Sequence, residues 1–212
     1  MGELLRKKFP HKKYQQKGFS MYNFFAYMSR MKLIRRWSLM KAVTEENIAE
    51  HSAQVAQIAH AFAVIANKLY GKEINADRVT TLALYHEASE VITGDLPTPI
   101  KYYNPDIRTA YKNIEGVANE KLLSMLPEEL KAEYTPLVEQ DSDSYEHKLV
   151  KAADKLSAYI KCVEELKSGN REFAKAEAAL KNEVDAYLCL PEVRYFCDAF
   201  LASFTKTLDE LD

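Results

Sequence analysis

The feature that most constrains this chain is a helical hydrophobic period that runs almost unbroken from Met21 to the C-terminus. Apolar residues return every three or four positions, as they do along one face of a helix with 3.6 residues per turn. No stretch shows a convincing alternation of period two. Six glycines and seven prolines in 212 residues are too few to supply the turns of a β architecture of this length. The fold class is therefore expected to be all-α, a single-domain bundle of about seven to nine helices. No internal repeat or low-complexity linker divides it, and 24.3 kDa is enough for one sizeable core.

The expected helices can be placed in order. Met21, Phe24, Phe25, Met28 and Met31 make the stripe of a first helix capped by Ser20, which runs into Arg35-Arg36-Trp37 and a connection from Ser38 to Glu46. Asn47-Ile-Ala-Glu50 has the form of a capping box and opens a second helix that reaches Gly71. Asn75 caps a third, from Ala76 to Ile92, closed by Gly94. Asn104-Pro105 begins a fourth, since proline is favoured at the first helical position, with Ile107, Tyr111, Ile114, Val117 and Leu122 inward. A fifth, from Pro127 to Gln140, is expected to break near Pro136. Ser142 or Ser144 opens a long sixth helix with Leu149, Ala153, Leu156, Ile160, Val163 and Leu166 inward. Segments from Asn170 to Leu188 and from Pro191 to Leu211 complete the set.

A formal charge of −2 argues against a general nucleic-acid or membrane surface. Residues 1–19 hold a basic cluster, Arg6-Lys7-Lys8 and Lys12-Lys13, without the apolar run of a signal peptide. They read as a flexible extension ahead of a domain at 20–212. Cys162, Cys189 and Cys197 are an odd count without Cys-x-x-Cys spacing. They read as reduced core thiols of a cytoplasmic protein rather than disulfides or zinc ligands.

The chemistry concentrates in His86-Glu-Ala-Ser-Glu90-Val-Ile-Thr-Gly-Asp95-Leu-Pro-Thr-Pro99. On a continuous helix Glu90 lies about 40° and Glu87 about 100° from His86, so all three share one face, and Val79, Leu82 and Ala83 point that face inward. One imidazole and two carboxylates directed into a fold need a charged or hydrogen-bonding recipient, and a divalent cation is the natural candidate. Of the other histidines, His11 and His147 read as solvated. His51 and His60 lie on opposite faces of one helix and cannot share a metal, and His60 reads as a hydrogen-bonded, partly buried histidine. His51, in the first turn beside Ser52 and Val55, is the better ligand candidate, against the plainer reading of a hydrogen-bonded, partly buried histidine. Asp154 borders the buried stripe of the sixth helix, where it is either a ligand or an edge residue paired with Lys151 or Lys155. Arg36-Trp37 offers a donor fork suited to phosphate beside a large aromatic plate, or a core anchor. Asp95 beside Gly94 is also an ordinary turn former.

The order of these residues, His51, then His86 with an acidic neighbour, then Asp154, each on its own helix, resembles the HD-domain metal-dependent phosphohydrolases. Phe24 to Trp37, Glu46 to Ser52, Tyr85 to Tyr102 and the segments around Ala153-Asp154 and Cys162-Val-Glu-Glu-Leu resemble more closely the bacterial HD-domain 5′-deoxynucleotidases. The likeness runs from about residue 20 to the C-terminus. It implies metal ligands at His51, His86, Glu87 and Asp154 and a catalytic glutamate at Glu90. Substrate contacts are implied at Arg36, Trp37, Asp95, Leu96, Pro97 and Thr98, with His51, Glu87 and Asp154 beside them. It further implies a homodimer that uses one divalent transition metal to remove phosphate from deoxyribonucleoside 5′-monophosphates. One departure stands out: the aspartate of the family's His-Asp pair is Glu87 here, one methylene longer.

Two imidazoles and two carboxylates suit Mn²⁺, Fe²⁺, Co²⁺ or Zn²⁺ better than Ca²⁺ or Mg²⁺. Arg36 would stabilise charge on phosphoryl oxygens, and Glu90, Asp95 or both would handle protons. The alternative is a nucleotide-binding or regulatory module whose metal site Glu87 has impaired.

Overall fold

The computed structural model describes residues 21–97, 100 and 103–212. The basic segment, the proposed Ser20 cap, His11, Thr98 and Pro99 lie outside the described residues. Among those described, the α-helices are α1 (Phe24–Met28), α2 (Ile48–Tyr70), α3 (Ala76–Tyr85), α4 (Glu90–Thr93), α5 (Pro105–Ser124), α6 (Glu128–Val138), α7 (Tyr145–Lys167), α8 (Ala174–Tyr187) and α9 (Pro191–Phe200). Short 3₁₀ turns follow α1 and α9 and precede α8. The only extended pairing among them is an isolated bridge between Arg35 and Asn47. None of their helices is long and apolar enough to cross a membrane.

Helix starts follow local chemistry. The Asn47 side chain accepts from Ala49 and Glu50 N–H while Glu50 reaches back to Asn47 N–H, a complete capping box. Asn75, Asn104 and Ser144 cap α3, α5 and α7 through their side chains, satisfying amides that the helices leave open. Gly71 ends α2 at φ 64°, a left-handed conformation natural to glycine.

Two apolar clusters build the core. In the larger, Val55, Ala59 and Phe62 of α2 meet Val79 and Leu82 of α3, Leu149, Ala153 and Leu156 of α7, and Val193 and Phe196 of α9. The second gathers Phe24, Met31, Ile48, Ala88, Val91, Leu122 and Leu126. Tyr85 and Tyr134 pack on both, with Phe24 stacked on Tyr85 at 6.5 Å and edge-on to Tyr134 at 5.2 Å. The polar stretch after Tyr85 thus emerges at the seam, with α2 and α7 alongside.

Several expectations are corrected. The third helix is not continuous: after Tyr85 the chain tightens through i→i+3 bonds, Tyr85 O to Ala88 N at 3.0 Å and Glu87 O to Glu90 N at 3.1 Å, before α4. At about three residues per turn, positions three apart eclipse, so Glu87 and Glu90 stack instead of lying about 60° apart. α6 runs through Pro136 without breaking. The proline removes one N–H from the ladder, the one that would reach the Ala132 carbonyl, and the helix ends two residues later at Val138. On α5, Tyr111 and Leu122 are buried, but Ile114 and Val117 are 54% and 65% exposed, an apolar strip among the described residues. Met21 and Phe25 are exposed as well, leaving Phe24 and Met31 as the anchors of the first segment. Cys162 is buried as expected, but Cys189 is exposed. His60 is exposed, and His147 is half-buried with Nδ1 3.2 Å from Gln140 Oε1.

Candidate active site

Three elements deliver the site. His51 enters from the first turn of α2, fully buried. His86 and Glu87 come from the tight turns after α3, and Asp154 from the middle of α7. One donor atom from each of these four lies within 4.8 Å of all the others. His51 Nε2 is 3.0 Å from Asp154 Oδ1. His86 Nε2 stands 3.3 Å from Glu87 Oε1 and 3.9 Å from Asp154 Oδ1. Asp154 therefore faces the histidines; among the described residues Lys155 instead pairs with Glu183 at 3.0 Å.

The donor set fits a divalent metal. His86 Nδ1 is 2.7 Å from Ala83 O, which fixes that nitrogen as the N–H and leaves Nε2 directed inward. That buried Nε2 has no well-aligned hydrogen-bond partner, although three other donor atoms surround it. On His51, Nδ1 lies 3.2 Å from Ser157 Oγ. The Ser157 hydroxyl is itself given to Gln54 Oε1 at 2.6 Å, so its oxygen accepts, and His51 Nε2 is likewise the inward nitrogen. Histidine tautomers set from behind in this manner are a regular feature of metal centres.

The electrostatics of these side chains point the same way. Burial works against the charge on Glu87, but the adjacent His86 overrides it and holds the carboxyl far below its ordinary range. Burial likewise opposes ionisation of Asp154, and the adjacent imidazoles of His51 and His86 override it and hold the carboxyl well below its ordinary range. Burial alone would lower His86, yet Glu87 and Asp154 push it up to about 9. Glu90 is 5% exposed. Burial first, then the charge of Glu87 and a shared hydrogen bond with it, push Glu90 up to about 11. Glu90 is thus a neutral acid stacked on an ionised one, a consequence of the tightened turn that eclipses them.

Arg36 and Trp37 meet on Glu46 beside the cluster. Burial disfavours the Arg36 charge, but Glu46, Glu87, Asp154 and Asp95 together raise its pKa further, which puts the guanidinium in the field of the whole cluster. Asp95 also acts on Glu90. It follows Gly94, whose φ of 73° and ψ of 166° suit glycine alone and turn the chain out of α4. Leu96 and Pro97 continue, half-buried.

Glu46 was missed. Its Oε2 accepts from Trp37 Nε1 at 2.8 Å and from Arg36 Nε at 3.3 Å, and its Oε1 lies 3.7 Å from His51 Nδ1. It lies in the connection before α2, where an acidic residue reads as solvated. Its position directly ahead of the Asn47 cap was the available signal.

The class these features define is that of the HD-domain phosphohydrolases. Such an enzyme from Listeria innocua superposes with a TM-score of 0.75 at 25% identity, over 86% of this chain and 88% of that one. A cyanophage HD phosphohydrolase bound to dA and one catalytic Zn²⁺ ion shares the fold at a TM-score of 0.61 and 18% identity, over 84% of this chain and 96% of its own. Within that class the match is finer. The family described as 5′-deoxynucleotidase YfbR-like covers residues 23–204. A 5′-deoxynucleotidase of Vibrio vulnificus is 53% identical over 193 residues, 89% of this chain and 97% of the relative. The chain belongs to the YfbR-like 5′-deoxynucleotidase family.

Proposed function

We propose that this protein hydrolyses deoxyribonucleoside 5′-monophosphates to deoxynucleosides and phosphate. The observation that carries the reading is the convergence of His51, His86, Glu87 and Asp154 within 4.8 Å beside a half-buried arginine, Arg36. In this reading those four residues hold one divalent transition metal, such as Mn²⁺, Co²⁺, Fe²⁺ or Zn²⁺. When bound, the ion supplies charge to a phosphoryl oxygen and acidifies a water.

This chain's own groups do the rest. Arg36, kept charged by Glu46, Glu87, Asp154 and Asp95, orients the phosphate and stabilises the charge that builds on its oxygens. Attack by water on phosphorus breaks the bond to the 5′-oxygen. Asp95 accepts the proton of the attacking water. Glu90, neutral at rest, donates one to the departing 5′-oxygen, so the nucleoside leaves with its hydroxyl restored. The Trp37 plate lies against the sugar and excludes a 2′-hydroxyl by contact. Leu96 and Pro97 continue the substrate wall beyond Asp95.

The protein is further proposed to be a homodimer, for which the exposed Ile114 and Val117 strip offers an apolar face, and to work in the cytoplasm, where its three free cysteines stay reduced. A panel of deoxy- and ribonucleoside 5′-monophosphates, each assayed for phosphate release with several divalent metals, tests the activity. Release from deoxynucleotides well above the matched ribonucleotides is expected. Nucleotide binding with no release under any metal would replace the enzyme with a binding module.

A further inference from the structure

Three side chains with different tasks meet on the Glu46 carboxylate. We propose that Glu46 is a positioning residue that locks the Arg36–Trp37 clamp in register with His51, so that grip on phosphate and sugar is tied to the metal-binding side of the site. The proposal rests on the phosphomonoesterase reading and deepens it.

Four observations carry it. First, Oε2 takes both the Trp37 indole N–H and the Arg36 Nε–H, while Oε1 faces His51 Nδ1. The carboxylate is 11% exposed, so little water competes for it. Second, Trp37 sits at φ 58°, the only positive φ among described non-glycine residues. A bulky residue stays in that region only where its surroundings over-determine it. Here the Glu46 bond, the Phe173 ring at 5.2 Å and the Met40 N–H on Trp37 O at 2.8 Å do so. Third, the main chain repeats the link: Arg36 N–H donates to Glu46 O at 2.9 Å and Ile48 N–H to Ile34 O at 3.0 Å. Fourth, the residues just before Glu46 are tied to α7, because Glu165 accepts from Val43 and Thr44 N–H at 2.8 and 3.0 Å.

The arrangement also says how Trp37 reads a sugar. Its only polar hydrogen is committed to Glu46, so it meets substrate through an apolar face. Selection against a 2′-hydroxyl is then a matter of shape and desolvation, and depends on the plate staying where Glu46 holds it.

Trp37 is the sole tryptophan, so its emission reports this contact without turnover. Glu46→Ala and Glu46→Gln are compared with wild type by tryptophan emission and acrylamide quenching, by Mn²⁺ calorimetry, and by kcat and KM for dAMP and AMP. Glu46→Ala is expected to red-shift and expose Trp37, weaken Mn²⁺ binding about tenfold, and reduce the dAMP over AMP preference by tenfold or more through KM. Glu46→Gln keeps an acceptor for the indole, so it should restore emission and preference while Mn²⁺ binding stays weakened. Wild-type emission, Mn²⁺ affinity and preference in Glu46→Ala would overturn the proposal. Should that variant fail to fold, wild-type Mn²⁺ affinity in Glu46→Gln overturns it instead. A wild-type protein that releases no phosphate removes the phosphomonoesterase reading, while the emission and Mn²⁺ measurements still judge Glu46.

Discussion

Glutamine at position 165 should destabilise the protein out of proportion to its size. The Glu165 side chain is 1% exposed and accepts four donors: Val43 and Thr44 N–H, Lys161 Nζ at 2.5 Å, and Asn170 Nδ2 at 2.8 Å. Lys161, itself 6% exposed, keeps only the Thr44 carbonyl when the carboxylate is neutralised. Breaking a buried ion pair by removing one partner costs about 3–5 kcal/mol. Glutamine retains one acceptor, so about 3 kcal/mol is the expected loss, or roughly 6–12 °C in melting temperature for a chain of this length. The effect carries a pH signature. Burial opposes the Glu165 charge, but Lys161 and the Val43 and Thr44 amides hold the carboxyl down at about 2 against an ordinary 4.5. A carboxyl depressed in the folded state contributes stability above its unfolded pKa and loses it as pH falls toward its folded one. The gap between wild type and Glu165→Gln should therefore be full at pH 7 and shrink from about pH 5 downward. Urea unfolding of both proteins at intervals from pH 7 to pH 3 reads it. A gap below about 1 kcal/mol at pH 7, or one indifferent to acid, would refute the reasoning.

Other outcomes follow from the same geometry. Glu90→Gln should lower kcat by about 10²–10⁴-fold with Mn²⁺ affinity by calorimetry unchanged, because Glu90 stands beside the ligand set and not in it; weakened metal binding would make it a ligand. His86 is held up at about 9 by Glu87 and Asp154 against burial and must shed its proton to coordinate. Mn²⁺ affinity should then rise about tenfold per unit from pH 6 to pH 8, with proton release visible in buffers of different ionisation enthalpy; a flat profile contradicts this. Glu87→Asp withdraws the carboxylate by about 1.5 Å from a group that closes with glutamate in place, so Mn²⁺ affinity should fall about tenfold. Tighter binding would mean that Glu87 props the site open.

Much of this was legible because it is local. Asn47, Asn75, Asn104 and Ser144 announce their helices by the amides they satisfy, and Gly71 and Gly94 end theirs by backbone freedom. His86, Glu87 and Glu90 betray themselves by pointing inward from an apolar stripe, whereas His51 and Asp154 each read equally as ordinary residues of their helices until their order along the chain is weighed. What stayed hidden depends on partners distant in sequence. Lys161 and Glu165 form an i,i+4 pair that reads as a solvated helix edge, yet the loop at Val43-Thr44 folds over it and buries it. Glu46 gains meaning only when Trp37 and His51 arrive on either side. Periodicity carried the third helix past Tyr85, because the pattern of apolar residues does not distinguish an α turn from the tighter one that stacks Glu87 on Glu90. Ile114 and Val117 obey the helical period but stay exposed among the described residues.

The account stands most directly on whether one bound ion switches on phosphate release. Protein stripped with chelator is titrated with Mn²⁺ or Co²⁺ while bound metal and phosphate released from a deoxynucleoside 5′-monophosphate are followed together. Activity should rise in step with occupancy and level off at about one ion per chain, the capacity of a single four-donor site. Full activity in the stripped protein, or a filled site that releases no phosphate, would contradict it.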